Sequence, residues 1–213
     1  MKKLQLTSVF ILVLSFYSCS QNKGKENPAS SSVVGGGCDG CEAILDYGDK
    51  KMSWEETLPD YHEAGPKMEI SGTIFQKDGK TPAKDVIFYI YHTDQRGYYS
   101  TKGEESEPGK RHGYIHGWIK TGANGKYKFR TLKPAPYPKR TAPAHIHAIV
   151  KEPDLNEYWI DEYLFDDDPL LTKEKRSMPK GRGGSGIVTL IKDKNEILQC
   201  HRDIILGKNI PNY

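Results

Sequence analysis

No window of this chain carries a sustained helical period; short alternating segments separated by turn residues recur instead. Residues 68–74 (MEISGTI) alternate apolar and polar side chains, and residues 86–92 place aromatic side chains on both faces. Residues 116–121, 126–132 and 158–165 read as further strands, with 187–192 and 204–206 closing the set. Residues 77–82 form a turn, and Asn124-Gly125 is the signature of a hairpin joining 116–121 to 126–132. Residues 42–63 read mostly as loop, with Trp54 and Tyr61 as anchors, and residues 101–111 and 170–186 as surface loops, the latter with room for a short helix. Residues 133–138 contain three prolines, so they form a rigid extended loop rather than a central strand. This spacing predicts an all-β chain, an antiparallel β-sandwich with long loops.

The beginning of the chain reads differently. Lys2 and Lys3 precede an apolar run at 9–16 that is too short to span a membrane. The following Phe16-Tyr17-Ser18-Cys19 is similar to the lipobox of bacterial lipoproteins. Residues 1–18 are therefore expected to be a lipoprotein signal peptide, with Cys19 as the lipidated first residue of an exported, membrane-anchored protein, periplasmic or on the cell surface. Simple secretion with Cys19 incidental is the other reading. Residues 19–37 turn Ser-rich and then Gly-rich and read as a flexible tether, leaving 38–213 as the folded domain. A net charge of only +3 points to no nucleic-acid partner. In an exported chain, Cys38 and Cys41 form a short disulfide more readily than a zinc half-site, since no second CxxC exists; Cys200 has no evident partner.

The strand after Pro143 carries His145 and His147 two residues apart, so both imidazoles face the same way while Ile146, Ala148 and Val150 face the other. Two imidazoles side by side make half of a metal site, or a pair of hydrogen-bonded histidines in a half-polar strand. Tyr99 follows a glycine at the end of a strand, and Tyr137 is clamped between Pro136 and Pro138. Alone, Tyr137 also reads as a loop tyrosine packed on the sandwich.

Residues 92–100, 120–138 and 143–147, with their ordered "GKYKFRT", "PAPYP" and "PAHIH", resemble the intradiol ring-cleavage dioxygenases, which include catechol and protocatechuate dioxygenases. The resemblance runs from about residue 70 to residue 169. It implies a non-haem Fe(3+) held by Tyr99, Tyr137, His145 and His147, and a small aromatic diol opened by O2 between its hydroxyl-bearing carbons. It also implies that Tyr137 leaves the iron during turnover and that Tyr99 stays. Two positions depart from the family pattern. Ala142 stands where an arginine commonly precedes Pro-Ala-His, which makes Arg140 the candidate catalytic substitute, or else a plain surface arginine. Glu162 stands where a glutamine is usual, and an unpaired carboxylate there would disfavour an anionic substrate. A cell-surface binding module for aromatic or glycan ligands, keeping the fold without efficient turnover, is the alternative; zinc in the same pocket is a third. His112 and His116 read as surface histidines, residues 166–168 as a solvated turn, and the basic residues of 173–182 as a solvated loop able to attract an anionic ring substituent. The oligomeric state is left open.

Overall fold

The computed structural model describes residues 33–103, 105, 107–139 and 141–213. The expected signal peptide, Cys19, most of the expected tether and Arg140 lie outside the described residues.

Among the described residues, eleven strands form two sheets. The first contains β1 (Glu55–Thr57), β5 (Lys126–Leu132), β2 (Lys67–Phe75), β10 (Leu198–His201) and β9 (Leu190–Lys192), in that order, with β11 (Ile204–Ile205) pairing the end of β2. The second is ordered β4 (His116–Lys120), β3 (Ile87–His92), β6 (His145–Lys151), β7 (Tyr158–Phe165), β8 (Ile187–Val188). One helical turn, α1 (Lys173–Arg176), follows β7, and Thr172 caps it by accepting from the Lys175 amide.

The core is what period-2 sequences produce when one face of each sheet turns inward. Met68, Ile70 and Ile74 of β2, with Tyr127 and Phe129 of β5, meet Phe88 and Ile90 of β3 and Ile146, Ala148 and Val150 of β6. The Phe88 ring stands edge-on to Tyr127 at 5.0 Å and to Phe129 at 5.7 Å. Burying each such ring stabilises the fold by roughly 1.5–3 kcal/mol.

The sandwich matches expectation, and several details differ. The sheets are mixed: β1–β5, β2–β10, β2–β11 and β7–β8 are parallel. These pairs join short strands to partners distant in sequence, where no hairpin imposes an antiparallel direction. Gly122–Gly125 closes a tight turn (Gly125 N–H to Gly122 C=O, 3.0 Å) but not a hairpin. β4 pairs with β3 and β5 with β2, so the turn carries the chain from one sheet to the other. The last residues of the expected tether lie on the domain: the Gly35 amide donates to the Pro211 carbonyl at 2.8 Å, and its carbonyl accepts from Arg182 at 3.1 Å. No Cβ would fit there, because Tyr158 stands against Gly35. A glycine run therefore marks close packing here as well as freedom.

Cys38 and Cys41 are joined by a disulfide, with Cα atoms 5.5 Å apart. The following 3-10 turn, Cys41–Leu45, lays Ala43 and Ile44 over Tyr89, Trp118 and Ile149 on the outer face of the second sheet. That face also carries the histidines of β6.

Candidate metal centre

On β6 the strand alternation divides as its residue types require: Ile146, Ala148 and Val150 go to the inter-sheet core, while His145 and His147 go to the opposite face. Their tautomers follow from their partners. The Nδ1 of His145 lies 2.8 Å from the Pro143 carbonyl, which can only accept, so Nδ1 carries the proton. The Nδ1 of His147 lies 2.9 Å from the Glu162 carboxylate, so it donates as well. Both Nε2 lone pairs are then free to face the same space.

The two tyrosines arrive on loops. β3 ends at His92, so Tyr99 sits in a loop rather than at a strand end as the sequence suggested. That loop is wound around Asp94, whose carboxylate accepts from the amides of Arg96 (2.8 Å) and Tyr98 (3.1 Å) and from the Ser100 hydroxyl (2.8 Å). The Tyr137 loop is bound to it: the Thr93 hydroxyl donates to the Ala135 carbonyl at 2.7 Å. Gly97 has φ of 83° and lies so close to Pro136 that only a residue without Cβ fits.

The four side chains converge. The Tyr99 hydroxyl donates to His147 Nε2 at 2.8 Å and shares a 2.8 Å hydrogen bond with the Tyr137 hydroxyl; His145 Nε2 lies 3.2 Å from Tyr137 Oη. Donors bound to a first-row metal at about 2.0–2.2 Å stand roughly 3 Å apart, so these spacings fit one shared cation. Two phenolic protons now occupy the space between four lone-pair atoms, and a cation would replace them. Burial raises both phenols above their ordinary range, Tyr99 further through its hydrogen bond with Tyr137. Burial, and His147 after it, pushes His145 down, keeping it neutral.

Glu162 is the partner that sequence reading flagged but did not place. The β6–β7 register runs Ile146↔Tyr163 and then Ala148↔Ile160, so a bulge sets Asp161 and Glu162 opposite His147. The side-chain alternation of β7 shifts at that point, which turns Glu162 toward the imidazole. Burial raises its carboxyl, but the His147 hydrogen bond and the charge interactions of His147 and His145 together outweigh this and hold it below the ordinary range. His145, His147 and Glu162 also each offer a ligand atom within 4.8 Å of one another. Glu162 meets the far nitrogen of His147, however, away from the phenols. Ala142 lines a cavity beside Glu162, and no placement is described for Arg140.

Tyr91 was missed. It pairs directly with His147 across β3–β6, and its ring stacks on His147 at 4.5 Å and on His112 at 3.7 Å. His112 is buried rather than superficial, and its Nδ1 contacts the Tyr89 hydroxyl at 3.0 Å; His116 is half-buried. Only knowledge of the strand pairing would reveal that stack.

Comparison with known proteins accords with this geometry. The family model described as "Dioxygenase" matches residues 48–182. Catechol 1,2-dioxygenase 1 of Acinetobacter lwoffii is 31% identical over 152 residues, covering 59% of this chain and 47% of the relative. The protocatechuate 3,4-dioxygenase beta chain of Burkholderia cepacia is 25% identical over 113 residues, covering 50% of this chain and 48% of the relative. The chain thus spans about half the length of these curated relatives. The same fold occurs in the dioxygenase domain of a carbohydrate-binding fusion protein of Streptomyces sp. SirexAA-E (TM-score 0.56, 20% identity, 74% of this chain and 90% of that one). It occurs again in catechol 1,2-dioxygenase of Acinetobacter sp. ADP1 (TM-score 0.54, 20% identity, 72% of this chain and 57% of that one). The chain belongs to the intradiol ring-cleavage dioxygenase family.

Proposed function

We propose that this chain is a ferric dioxygenase that opens catechol-type rings between their two hydroxyl-bearing carbons, with Tyr99, Tyr137, His145 and His147 holding the iron. The observation that carries this reading is the meeting of two phenol oxygens and two imidazole lone pairs within 2.8–3.2 Å of their neighbours. Bound ferric iron would supply a hard Lewis-acid centre that chelates a catecholate and opens its electrons to O2. Phenolate oxygen suits such a hard ion, and two phenolates with two neutral imidazoles leave it one residual positive charge.

The protein's own work is positional and protonic. The Pro143 carbonyl and the Glu162 carboxylate orient the imidazoles by accepting from their Nδ1–H groups, as partners of metal-ligating histidines do. Binding of the cation would displace the hydroxyl protons of Tyr99 and Tyr137 to solvent, leaving both as phenolates. Tyr137, on its proline-framed loop, is the phenolate suited to take a proton from the incoming diol at Oη and swing away. Tyr99 stays, because the loop before it is wound around Asp94.

Export with a lipid on Cys19 belongs to the same proposal. It is supported by the lipobox-like 16–19 stretch and by the Cys38–Cys41 disulfide, which suits an oxidising compartment. Replacement of Cys19 by alanine should release the protein from membranes.

The enzymatic reading is tested by oxygen uptake on the iron-loaded chain. Catechol should consume one O2 per ring and give a muconate-type diacid. Iron-loaded protein that binds catechols without consuming oxygen would overturn it in favour of the binding-module reading.

A further inference from the structure

Resting on the ferric reading above, we propose that Tyr91 is a positioning residue for the metal ligand His147, and that the disulfide-closed turn Cys38–Cys41 braces it from outside through His112.

Three rings make the brace. Tyr91 lies directly opposite His147 in the β3–β6 register, and its ring is close to parallel with the imidazole, 16° apart in plane with centroids at 4.5 Å. The His112 ring is flatter still against Tyr91, at 6° and 3.7 Å. Two rings this near and this parallel to a third cannot share one of its faces, so the stack runs His147, Tyr91, His112. An imidazole turns easily about its Cβ–Cγ bond unless something lies flat against it. Here such a turn drives the ring edge into the phenol. Glu162 holds the Nδ1 edge at 2.9 Å, and Tyr91 holds the face, so Nε2 stays aimed at the phenol oxygens. Tyr91 points to the outer face of the second sheet and is half-buried, so its ring is not spent on the inter-sheet core.

The outer end of the stack is clamped by the turn. His112 Nδ1 contacts the Tyr89 hydroxyl at 3.0 Å. Gly40 lies against the Nε2 edge: its φ is 87°, and a Cβ there would stand 2.8 Å from His112 Nε2. Cys38 and Cys41 flank Gly40 and are bonded to each other. Arg111, next to His112, reaches Asp39 at 2.9 Å and Glu42 at 3.3 Å, on either side of the same glycine. Those ion pairs are exposed and contribute little, so the disulfide is the tie that keeps Gly40 on the ring.

The brace matters because there is room to lose alignment. A cavity of about 210 Å³ is lined by Cys38, Tyr91, His147 and Glu162 together. It is the space into which the imidazole swings once the phenol ring or the turn is loosened. Groups that orient a metal-ligating histidine typically cost ten- to a hundredfold in metal affinity when lost, and Tyr91 shares the task with Glu162, so the lower end, about tenfold, is expected.

The test uses the full chain and two readouts. The first, in metal-free protein, is the ring-nitrogen NMR spectrum of His147: the wild type should show one sharp ring conformer and Tyr91→Leu an exchange-broadened or split one. The second is ferric affinity by competition with nitrilotriacetate, followed at the tyrosinate-to-iron band. Tyr91→Leu should bind about tenfold more weakly, while Tyr91→Phe, which keeps the ring face and drops only the hydroxyl, should stay within about twofold of the wild type and keep its spectrum. His112→Ala opens the far side of the stack without altering β3, and should broaden the same His147 signals if Tyr91→Leu does not fold. Serine at both Cys38 and Cys41 should weaken ferric binding by about threefold in the wild type and not further in Tyr91→Leu, because both changes act through one stack. A sharp His147 spectrum with unchanged ferric affinity in Tyr91→Leu overturns this inference alone. An equal cost of the serine pair in both backgrounds overturns the brace through Tyr91. A wild-type chain that forms no such band overturns the ferric reading, and the metal-free spectra then still decide whether Tyr91 holds His147.

Discussion

Replacing Gly97 by alanine should uncouple Tyr137 from the donor cluster. Gly97 has φ of 83°, a conformation that costs a residue bearing Cβ about 1–2 kcal/mol. The new Cβ would also lie 3.1 Å from the Pro136 carbonyl carbon and 3.2 Å from Tyr137 Cα, with the Pro136 oxygen closer still. These are backbone atoms, so the loop itself must move, straining the Thr93-to-Ala135 hydrogen bond worth about 1 kcal/mol. The sum is about 2–3 kcal/mol, or a melting temperature lowered by roughly 4–12 °C. A displacement of about 1 Å at a reacting group costs about a hundredfold in rate. Gly36→Ala is the control: its φ is 72° and nothing lies within 4 Å of its Cβ, so it bears the conformational cost without the collision. Thermal unfolding and ferric titration should separate the two variants, with Gly97→Ala losing most of its tyrosinate-to-iron absorption and Gly36→Ala keeping it. If the two variants behave alike in both assays, the coupling of the two tyrosine loops at Gly97 is wrong.

Other outcomes follow from the same structure. Thr131→Val removes the hydroxyl that lies 2.8 Å from Asp60 and 2.7 Å from His92 Nε2; with both partners buried, chemical denaturation should show a loss of about 2–4 kcal/mol. Serine at both Cys38 and Cys41 should cost about 2 kcal/mol by loop entropy, read by the same assay against the wild type under oxidising conditions. Burial first, and then His147 and Arg111, depress His112 to about 4 from 6.5, so below pH 6.5 the unfolded chain binds a proton that the folded chain refuses. Stability should be intact above pH 6.5 and fall by about 3 kcal/mol toward pH 4, and His112→Phe should flatten that slope in a pH series of unfolding curves.

Much of this was legible in the residues. Alternation in β2, β5 and β6 follows directly from their sequences, and His145 and His147 share a face because strands have period 2. What stayed hidden depends on pairing. Asn124-Gly125 signals a turn but not which sheet receives each flanking strand, so an expected hairpin became a corner between sheets. Glu162 looked like an unpaired liability because a bulge, invisible in composition, swings it onto His147. His112 looked superficial because its aromatic cover comes from Tyr91 and Tyr89, more than twenty residues earlier. Gly35 read as tether because a glycine needed for close approach is indistinguishable, in sequence, from one that supplies freedom.

The most direct test of the account is titration of the metal-free chain with ferric iron under visible-light spectroscopy. One ion per chain should bind with a tyrosinate-to-iron band. That band should weaken and shift in Tyr137→Phe and vanish when His145 and His147 are both replaced by alanine. A chain that stays colourless at one bound ferric ion, or whose colour is indifferent to those four side chains, would contradict the shared centre on which the proposed chemistry depends.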